Sequence, residues 1–247
     1  MPIATLSMPE DTSLRSENRD FLSDLRRNIA SLERGNRGTV GVVGFGLPEI
    51  DDFLPCGGLY RDAVHEFFGG GAAVLAILLA TRLEGPVLWC LDDTQRDDPY
   101  GPGLAALGLE PARLTLARCR NSKEMLWVME EGLRSTAPVI VIAEPKADIG
   151  LVESRRLQLA AEVGSTLGLI LGENDRSGRL APSALASRWQ VDPLPGGGWD
   201  VVLRRCRGTA VSENEWKVQR EDATGNISLV AAIGNRSVEA AEYLYPI

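Results

Sequence analysis

Cysteine and histidine are scarce in this sequence. Its 247 residues include four cysteines, which form no C-x-x-C pair, and a single histidine, His65. We therefore expect neither a structural zinc site nor a disulfide framework, and free thiols favour a reducing, cytoplasmic location. His65 follows an apolar stretch without a cysteine nucleophile or a second histidine nearby, so we expect a packed structural side chain and no catalytic role.

Long hydrophobic runs are also absent. The longest, residues 72–80, is about half of what a bilayer span requires. The N-terminal residues lack a basic segment followed by an apolar core, so no signal peptide is predicted. These features indicate a cytoplasmic protein without a membrane partner. The net charge of −8 disfavours tight, sequence-independent DNA binding by the whole surface, because such binding depends on neutralising phosphates.

The stretch 62–84, DAVHEFFGGGAAVLAILLATRLE, has the layout of a phosphate-binding loop. We predict a strand over 63–68, a turn at Gly69, Gly70 and Gly71, and a helix over 72–83. A functional loop of this kind also needs a lysine for the outer phosphates and a hydroxyl for Mg²⁺. No register of the motif supplies either residue. The glycines then form either a tight strand-to-helix turn or a weak residual anion site made of backbone amides.

Strands and helices alternate between residues 63 and 171, which predicts an α/β fold with a mainly parallel sheet and helices on both faces. Short strands over 189–191, 199–205, 216–220 and 227–231 predict an antiparallel extension of the same sheet. We divide the chain into residues 1–38, a leader with a helix, and residues 39–247, the core with its extension.

An amphipathic helix is predicted over residues 13–34, because apolar residues recur there at three- and four-residue spacing. Its apolar stripe consists of Phe21, Leu22, Leu25, Ile29 and Leu32. This stripe requires a covering surface. The covering surface is either the protein's own core or another protein chain.

Basic residues concentrate between residues 176 and 220, a stretch that contains eight basic and four acidic residues. The DNA-binding candidates are Arg176, Arg179, Arg188, Arg204, Arg205 and Arg207, with Lys217 and Arg220 nearby and with Trp189, Trp199 and Trp216 interleaved. Arginines beside aromatic rings suit weak binding of single-stranded DNA. The alternative is that the tryptophans fill the core and the charges face solvent.

A group of aspartates lies at the carboxyl end of the buried strand predicted within GPVLWCLDD, residues 85–93. It comprises Asp92, Asp93, Asp97 and Asp98. A metal site is conceivable there, but without a phosphate ligand to share Mg²⁺ we expect a solvated acidic loop.

Several blocks resemble the RecA-type ATPase core, and more closely the ImuA family, RecA-like proteins encoded beside an inactive Y-family polymerase homologue in bacterial mutagenesis cassettes. The most specific block is LPEIDDFLPCGGLYRDAVHEFFGG, residues 47–70. PVLWCLDD, VIVIAEP, LGLILGEN and PSALASRWQVDPLPGGGWDVVLRRCRG add to the likeness, which covers about residues 45–232.

Departures from an active RecA are informative. Asp92 matches an acidic strand end, but the position of the glutamate expected shortly after it falls near Thr94 or Gln95. Ala143 stands where a metal-supporting aspartate is expected, with Glu144 one residue late. We treat Asp92 and Glu144 as vestigial acidic positions. Without a lysine and Mg²⁺ little remains to stabilise a transferring phosphoryl group. We therefore expect no ATP or Mg²⁺ cofactor and no catalysis.

The resemblance implies a non-catalytic accessory or scaffold protein of a damage-induced, error-prone translesion DNA synthesis complex. The implied partners are the ImuB-like polymerase homologue, RecA itself and an error-prone replicative-type DNA polymerase, with self-association through the predicted N-terminal helix. Two alternatives stay open: a divergent DNA-dependent ATPase, and a RecA-like inhibitor of cell division or recombination.

Overall fold

A nine-stranded sheet organises the residues that this computed structural model describes, namely 41–94, 98–172, 182–208, 214–220 and 227–233. A separate antiparallel pair joins β1 (Val42–Val43) to β2 (Leu59–Tyr60). The strands of the large sheet are β3 (Val64–Phe68), β4 (Val87–Asp92), β5 (Leu114–Cys119), β6 (Ile140–Ala143), β7 (Leu167–Gly172), β8 (Ser187–Pro193), β9 (Trp199–Cys206), β10 (Asn214–Arg220) and β11 (Ile227–Ile233).

The order across this sheet is β11-β10-β9-β8-β3-β7-β6-β4-β5. Each neighbouring pair from β8 through β3, β7, β6 and β4 to β5 is parallel, whereas β9, β10 and β11 continue from β8 in antiparallel pairs. The predicted mainly parallel sheet with an antiparallel extension is confirmed. The predicted helix over 13–34 and the boundary at residue 38 lie outside the described residues.

Helices cover both faces of the sheet. They are α1 (Pro48–Asp51), α2 (Ala72–Thr81), α3 (Gly101–Ala106), α4 (Ser122–Arg134) and α5 (Leu151–Gly164), with a 3-10 turn at Pro111–Arg113. One hydrophobic cluster contains α2 together with Leu104 of α3, and the other contains the buried sides of α4 and α5. The crossovers after β3 and β4 therefore lie on one face of the sheet and those after β5 and β6 on the other, as expected for a doubly covered sheet.

Local sequence signals account for the ends of several helices. The Asn121 side chain accepts the Glu124 N–H at 3.0 Å and so caps the N-terminus of α4. The Glu124 carboxylate reaches past Asn121 and accepts the backbone N–H of Arg120 at 2.8 Å. α3 begins at Gly101, and Pro102 is accommodated in its first turn.

Aromatic packing joins the antiparallel strands to the centre of the parallel sheet. Trp189 of β8 is fully buried; its ring centroid lies 5.0 Å from that of Phe45 and 6.2 Å from that of Phe67 in β3. Trp216 of β10 lies 6.2 Å from Trp189. Burying aromatic rings of this size is strongly stabilising, so the extension shares one hydrophobic core with β3.

Candidate functional site

The glycine turn between β3 and α2 is the first element of the candidate site. Three residues separate the end of β3 from Ala72, the first residue of α2. The Gly71 N–H donates to the carbonyl oxygen of Val191 at 2.8 Å, and the Ala72 N–H donates to the carbonyl oxygen of Gly69 at 3.1 Å. Both amides are therefore bonded to backbone carbonyls in this conformation, and neither points freely at a phosphate position.

Side chains and backbone from β8 and β9 fill the space around the turn. A Cβ atom added to Gly71 would lie 2.5 Å from Cδ1 of Trp199 and 2.7 Å from Cγ1 of Val191. Gly69 has φ +104°, and a Cβ there would lie 2.4 Å from the Val191 carbonyl oxygen. Glycine is thus required at Gly69 by conformation and close approach, and at Gly71 by close approach alone. The turn is a packing junction between β3, β8 and β9.

Asp92, at the carboxyl end of β4, is held by a compact polar network. Its Oδ1 accepts the Thr94 N–H at 2.8 Å and the ammonium of Lys146 at 3.0 Å, and the Thr94 hydroxyl donates to the same oxygen. The side-chain and backbone hydrogen bonds from Thr94, followed by the bond from Lys146, lower the pKa of Asp92 to about 2. The carboxylate is therefore ionised at neutral pH and already has a cation beside it.

Glu144 follows the end of β6, the neighbour of β4. Its Oε1 accepts the indole N–H of Trp89 at 2.8 Å. Ala143, which precedes it, is fully buried in the sheet. Asp92 and Glu144, the two acidic positions predicted to be vestigial, thus lie at the carboxyl ends of adjacent parallel strands, and each binds other groups of this chain.

His65 is the second residue of β3 and is buried. Its Nε2 is 3.0 Å from the carbonyl oxygen of Tyr60, and its Nδ1 is 2.6 Å from the Ser187 hydroxyl, which also accepts the Trp189 indole N–H at 2.7 Å. A carbonyl can only accept, so Nε2 carries the proton and Nδ1 accepts from Ser187. Burial lowers the pKa of His65 to about 4. This geometry fits the structural role expected for it.

The predicted DNA-facing residues are placed in different environments. Arg188 is buried, and its Nε donates to Glu66 of β3, forming an ion pair inside the sheet layer. Arg204 donates to the Gln190 amide oxygen at 2.9 Å, and Arg205 donates to the Ser183 carbonyl at 2.7 Å. The one arginine of the four with an exposed side chain is Arg207.

The interleaved tryptophans are mainly core residues. Trp189 and Trp216 are buried, and Trp199 is half-buried against the glycine turn. Lys217 lies 4.0 Å from Glu215, and Arg220 donates to the Ala106 carbonyl at the end of α3. A buried ring cannot stack on a DNA base in this conformation. Of the three tryptophans Trp189, Trp199 and Trp216, only Trp199 can therefore stack on a base at this surface.

The acidic loop after β4 is only partly described. The Asp93 N–H donates to the Cys119 carbonyl at 2.7 Å, and Asp98 pairs with Arg118 of β5. Asp97 lies outside the described residues. Within the described ranges, no three His, Cys, Asp or Glu side chains come together in a group that could hold a metal ion.

Several further predicted site residues fall outside the described part of the chain. They are the stripe Phe21, Leu22, Leu25, Ile29 and Leu32, and the basic residues Arg176 and Arg179. Their proposed roles stay predictions.

Sequence reasoning missed two contributors to the site. Lys146 reaches Asp92 across 54 positions of sequence, and Trp199 lies against Gly71 across 128 positions, so neither contact has a local signal. The parallel pairing of β4 with β6 could have suggested the first, because residues that follow adjacent parallel strands meet at one edge of the sheet.

None of the helices in the described residues combines the length and apolar character needed to cross a bilayer. No protein-family model matches the chain. Two curated relatives do: the proteins named ImuA from Caulobacter vibrioides strains NA1000 / CB15N and ATCC 19089 / CIP 103742 / CB 15 are each 33% identical over 244 residues. The match covers 85% of this chain and 98% of each relative. The chain belongs to the ImuA family.

Proposed function

We propose that this ImuA-family protein is a non-catalytic, RecA-like accessory protein of a damage-induced, error-prone translesion DNA synthesis complex, and that it acts by binding other proteins. The observation that carries the proposal is the closure of the glycine turn. The Gly71 amide is bonded to Val191, and the Trp199 ring lies against Gly71. Binding a phosphate there would require β8 and β9 to move away from β3, breaking part of the shared core.

The RecA-like character is supported by the arrangement of the glycine turn within the sheet. The turn joins a central parallel strand, β3, to an apolar helix, α2, and β3 lies between β7 and β8. The Asp92–Lys146 pair supports the loss of Mg²⁺ chemistry, because the ammonium sits 3.0 Å from the carboxylate that a metal would share. The closed glycine turn and the Asp92–Lys146 pair together favour a protein without catalytic activity.

The test combines nucleotide binding with complementation in cells. Isothermal titration of the whole protein with ATP and Mg²⁺ is expected to show no binding up to millimolar nucleotide. In a strain lacking the protein, Asp92→Asn and Lys146→Ala variants are expected to restore damage-induced mutation as well as the wild type does. Micromolar ATP binding, followed by turnover, would overturn the proposal.

The partners proposed for this complex are the ImuB-like polymerase homologue, RecA and an error-prone replicative-type DNA polymerase. Co-expression of the protein with the polymerase homologue, followed by gel filtration, is expected to give one co-eluting species. Replacing Leu25 and Ile29 with Asp tests the predicted N-terminal stripe. Association with a partner, or self-association, should be lost while the core keeps its melting temperature.

Weak binding of single-stranded DNA is proposed for the surface that carries Arg204, Arg205 and Arg207. The electrostatic part of such binding falls steeply with salt. A labelled oligonucleotide should therefore bind at low salt and be released at physiological salt, and no binding at low salt removes DNA from the proposal.

A divergent ATPase is the second candidate, and Lys146 is the observation that favours it. This lysine lies at the carboxyl edge of the sheet, where a phosphate-binding cation would be useful, and it already contacts the acidic strand end Asp92. If Lys146 serves ATP, Lys146→Ala abolishes both nucleotide binding and complementation. Complementation without nucleotide binding selects the accessory role.

A further inference from the structure

Helices α4 and α5 carry most of the exposed large hydrophobic side chains in the described part of the chain. The two helices pack against each other on one face of the sheet. Five of the nine exposed large hydrophobic side chains belong to them: Trp127, Leu151, Val152, Leu159 and Val163. The Trp127 side chain is 60% exposed. Apolar side chains concentrated on one surface mark interaction sites in soluble proteins.

A regular stripe runs along the exposed side of α5. It consists of three of these apolar residues and one arginine, at successive spacings of four, three and four residues: Val152, Arg156, Leu159 and Val163. Residues at these spacings share one side of a helix and form the seam of a coiled-coil contact. A charged residue within such a seam fixes the register of the partner helix. We call these four residues the α5 seam; they span about three turns of helix.

A groove of about 740 Å³ lies between α4 and α5 beside the α5 seam. Arg156 belongs to both the seam and the groove. The apolar walls of the groove are Leu126, Trp127 and Leu157. An amphipathic helix that lies on the α5 seam can therefore place side chains in the groove, against the Trp127 ring.

Most charges along the groove are balanced. The lining residues include three basic and three acidic ones: Arg120, Lys123, Arg156, Glu124, Glu130 and Glu153. Arg120 donates to both carboxylate oxygens of Glu124, at 3.0 and 3.1 Å, and this pair is neutral. Lys123 and Glu153 carry opposite charges and cancel in the sum.

The charges around Glu130 do not balance. Its buried carboxylate accepts from Arg134 at 2.7 Å and from Arg156 of the α5 seam. Two guanidinium groups share one carboxylate, so this cluster has one positive charge in excess. Both arginine side chains are more than half exposed, which places the excess charge at the surface. An acidic side chain of a partner complements it.

A second copy of this chain does not supply that acid. If two copies paired their α5 seams over the full length, a two-fold axis would pass near the middle of each seam. Arg156 lies close to that middle, so the two arginines would approach each other, and like charges repel. The seam therefore fits a different protein, with an acidic residue where this chain has Arg156.

We propose that the α5 seam and the adjoining groove bind an amphipathic helix of a partner protein, whose apolar stripe covers the seam and Trp127 and which places an aspartate or glutamate beside Arg134 and Arg156. The inference rests on the proposed function, because it assigns a surface and a partner chemistry to the protein–protein binding inferred there.

Two matched valine replacements test the site. Val163 belongs to the α5 seam and is 73% exposed, and Val230 lies on β11, at the edge of the sheet, and is 61% exposed. Val163→Glu should weaken binding of the purified polymerase homologue at least tenfold, whereas Val230→Glu should leave the affinity within twofold of the wild type. Equal melting temperatures of the two variants show that folding is not the cause. Equal affinities overturn the site.

Two neighbouring arginines separate the acidic contact from the apolar one. Arg156→Gln keeps an amide that can donate to Glu130 but removes the charge. Binding should weaken about fivefold at low salt, and the difference from the wild type should shrink at high salt, since salt screens the charge. Arg155→Gln makes the same change at an exposed position outside the seam and should leave the affinity within twofold. Equal affinities of these two variants overturn the acidic contact.

Two other occupants are outcomes of the same experiments. An exposed aromatic ring beside arginines also suits single-stranded DNA. Trp127→Ala should weaken binding of the polymerase homologue at least tenfold and leave binding of a labelled single-stranded oligonucleotide unchanged. The opposite pattern assigns the surface to DNA and overturns the proposal. Sedimentation tests a second copy: self-association of the wild type that is lost in Val163→Glu overturns the proposal as well.

The binding data distinguish failure of this site from failure of the proposed function. Any of the three proposed partners that binds the wild type serves in these measurements. If the wild type binds a partner and both Val163→Glu and Trp127→Ala bind it equally well, the seam is not the docking site, while the accessory function stands. If the wild type binds none of the proposed partners, the accessory function fails, and the site that rests on it fails too.

Discussion

The pH dependence of stability should reveal how His65 is used. This side chain is buried in β3 and neutral, with Nδ1 accepting from Ser187 and Nε2 donating to the Tyr60 carbonyl. Its pKa is lowered by burial to about 4, against an ordinary value of 6.5. Because His65 is the single histidine of the chain, no other side chain has an ordinary pKa between pH 5 and 7.

The expected sign follows from proton binding. Below pH 6.5 the unfolded chain binds a proton at this histidine, whereas the folded protein does not until the pH nears 4, so acid favours unfolding. The contribution of His65 to stability is complete above pH 6.5 and is lost progressively as the pH falls to about 4. Two and a half pKa units correspond to about 3 kcal/mol in total, of which about 2 kcal/mol is lost between pH 7 and pH 5.

Urea unfolding at half-unit pH steps measures this loss, with His65→Gln as the comparison. Glutamine can accept from Ser187 and donate to the Tyr60 carbonyl, but it does not titrate. The wild type should lose about 2 kcal/mol of unfolding free energy between pH 7 and pH 5, and His65→Gln should lose little over that window, whatever its stability at pH 7.

A second variant, Ser187→Ala, tests whether the Ser187 hydroxyl, instead of burial, is the main cause of the lowered pKa of His65. Ser187→Ala removes the hydroxyl beside Nδ1 and should lower stability by about 1–3 kcal/mol. It should keep the pH dependence of the wild type, because burial is the larger cause of the lowered pKa. Parallel pH profiles for the wild type and His65→Gln would refute the reasoning, since they would mean that other groups produce the acid sensitivity.

Three further predictions concern the rest of the site. Gly71→Ala should lower the free energy of unfolding by about 1–3 kcal/mol, because the added Cβ would lie 2.5 Å from Trp199. Gly101→Ala, whose Cβ would have no neighbour within 4 Å, should not destabilise the protein. Equal urea midpoints for the two variants would contradict this prediction. Lys146→Met and Thr94→Val should each raise the pKa of Asp92, and Lys146→Met should leave it below its ordinary value because the Thr94 hydrogen bonds remain. Carboxyl NMR titration measures both, and an unchanged pKa in either variant would disprove the assignment. Arg188→Leu should lower the free energy of unfolding by about 3–5 kcal/mol, because the buried carboxylate of Glu66 loses its ion pair with Arg188. Adding Glu66→Gln should recover part of this loss. An Arg188→Leu variant as stable as the wild type would show that the pair is not buried in solution.

Local and periodic features of the fold were predictable from the sequence. Alternating strand and helix patterns indicate a parallel sheet, because such patterns depend on residues a few positions apart. Boundaries were less accurate: the helix predicted over 72–83 ends at Thr81, where Arg82 caps it through backbone bonds. Tertiary packing decides where a terminal turn stops.

The absence of a lysine and a hydroxyl after Gly69, Gly70 and Gly71 is a property that the sequence alone establishes, since the motif is defined by consecutive residues. The tertiary structure alone decides what occupies the turn instead: Val191 and Trp199, which arrive from strands more than 100 residues later. The same holds for Lys146 beside Asp92, and for Arg188, whose charge is paired with Glu66 inside the sheet. Sequence patterns report short-range propensity, whereas such contacts depend on which strands become neighbours, and that order emerges only when the whole sheet is packed.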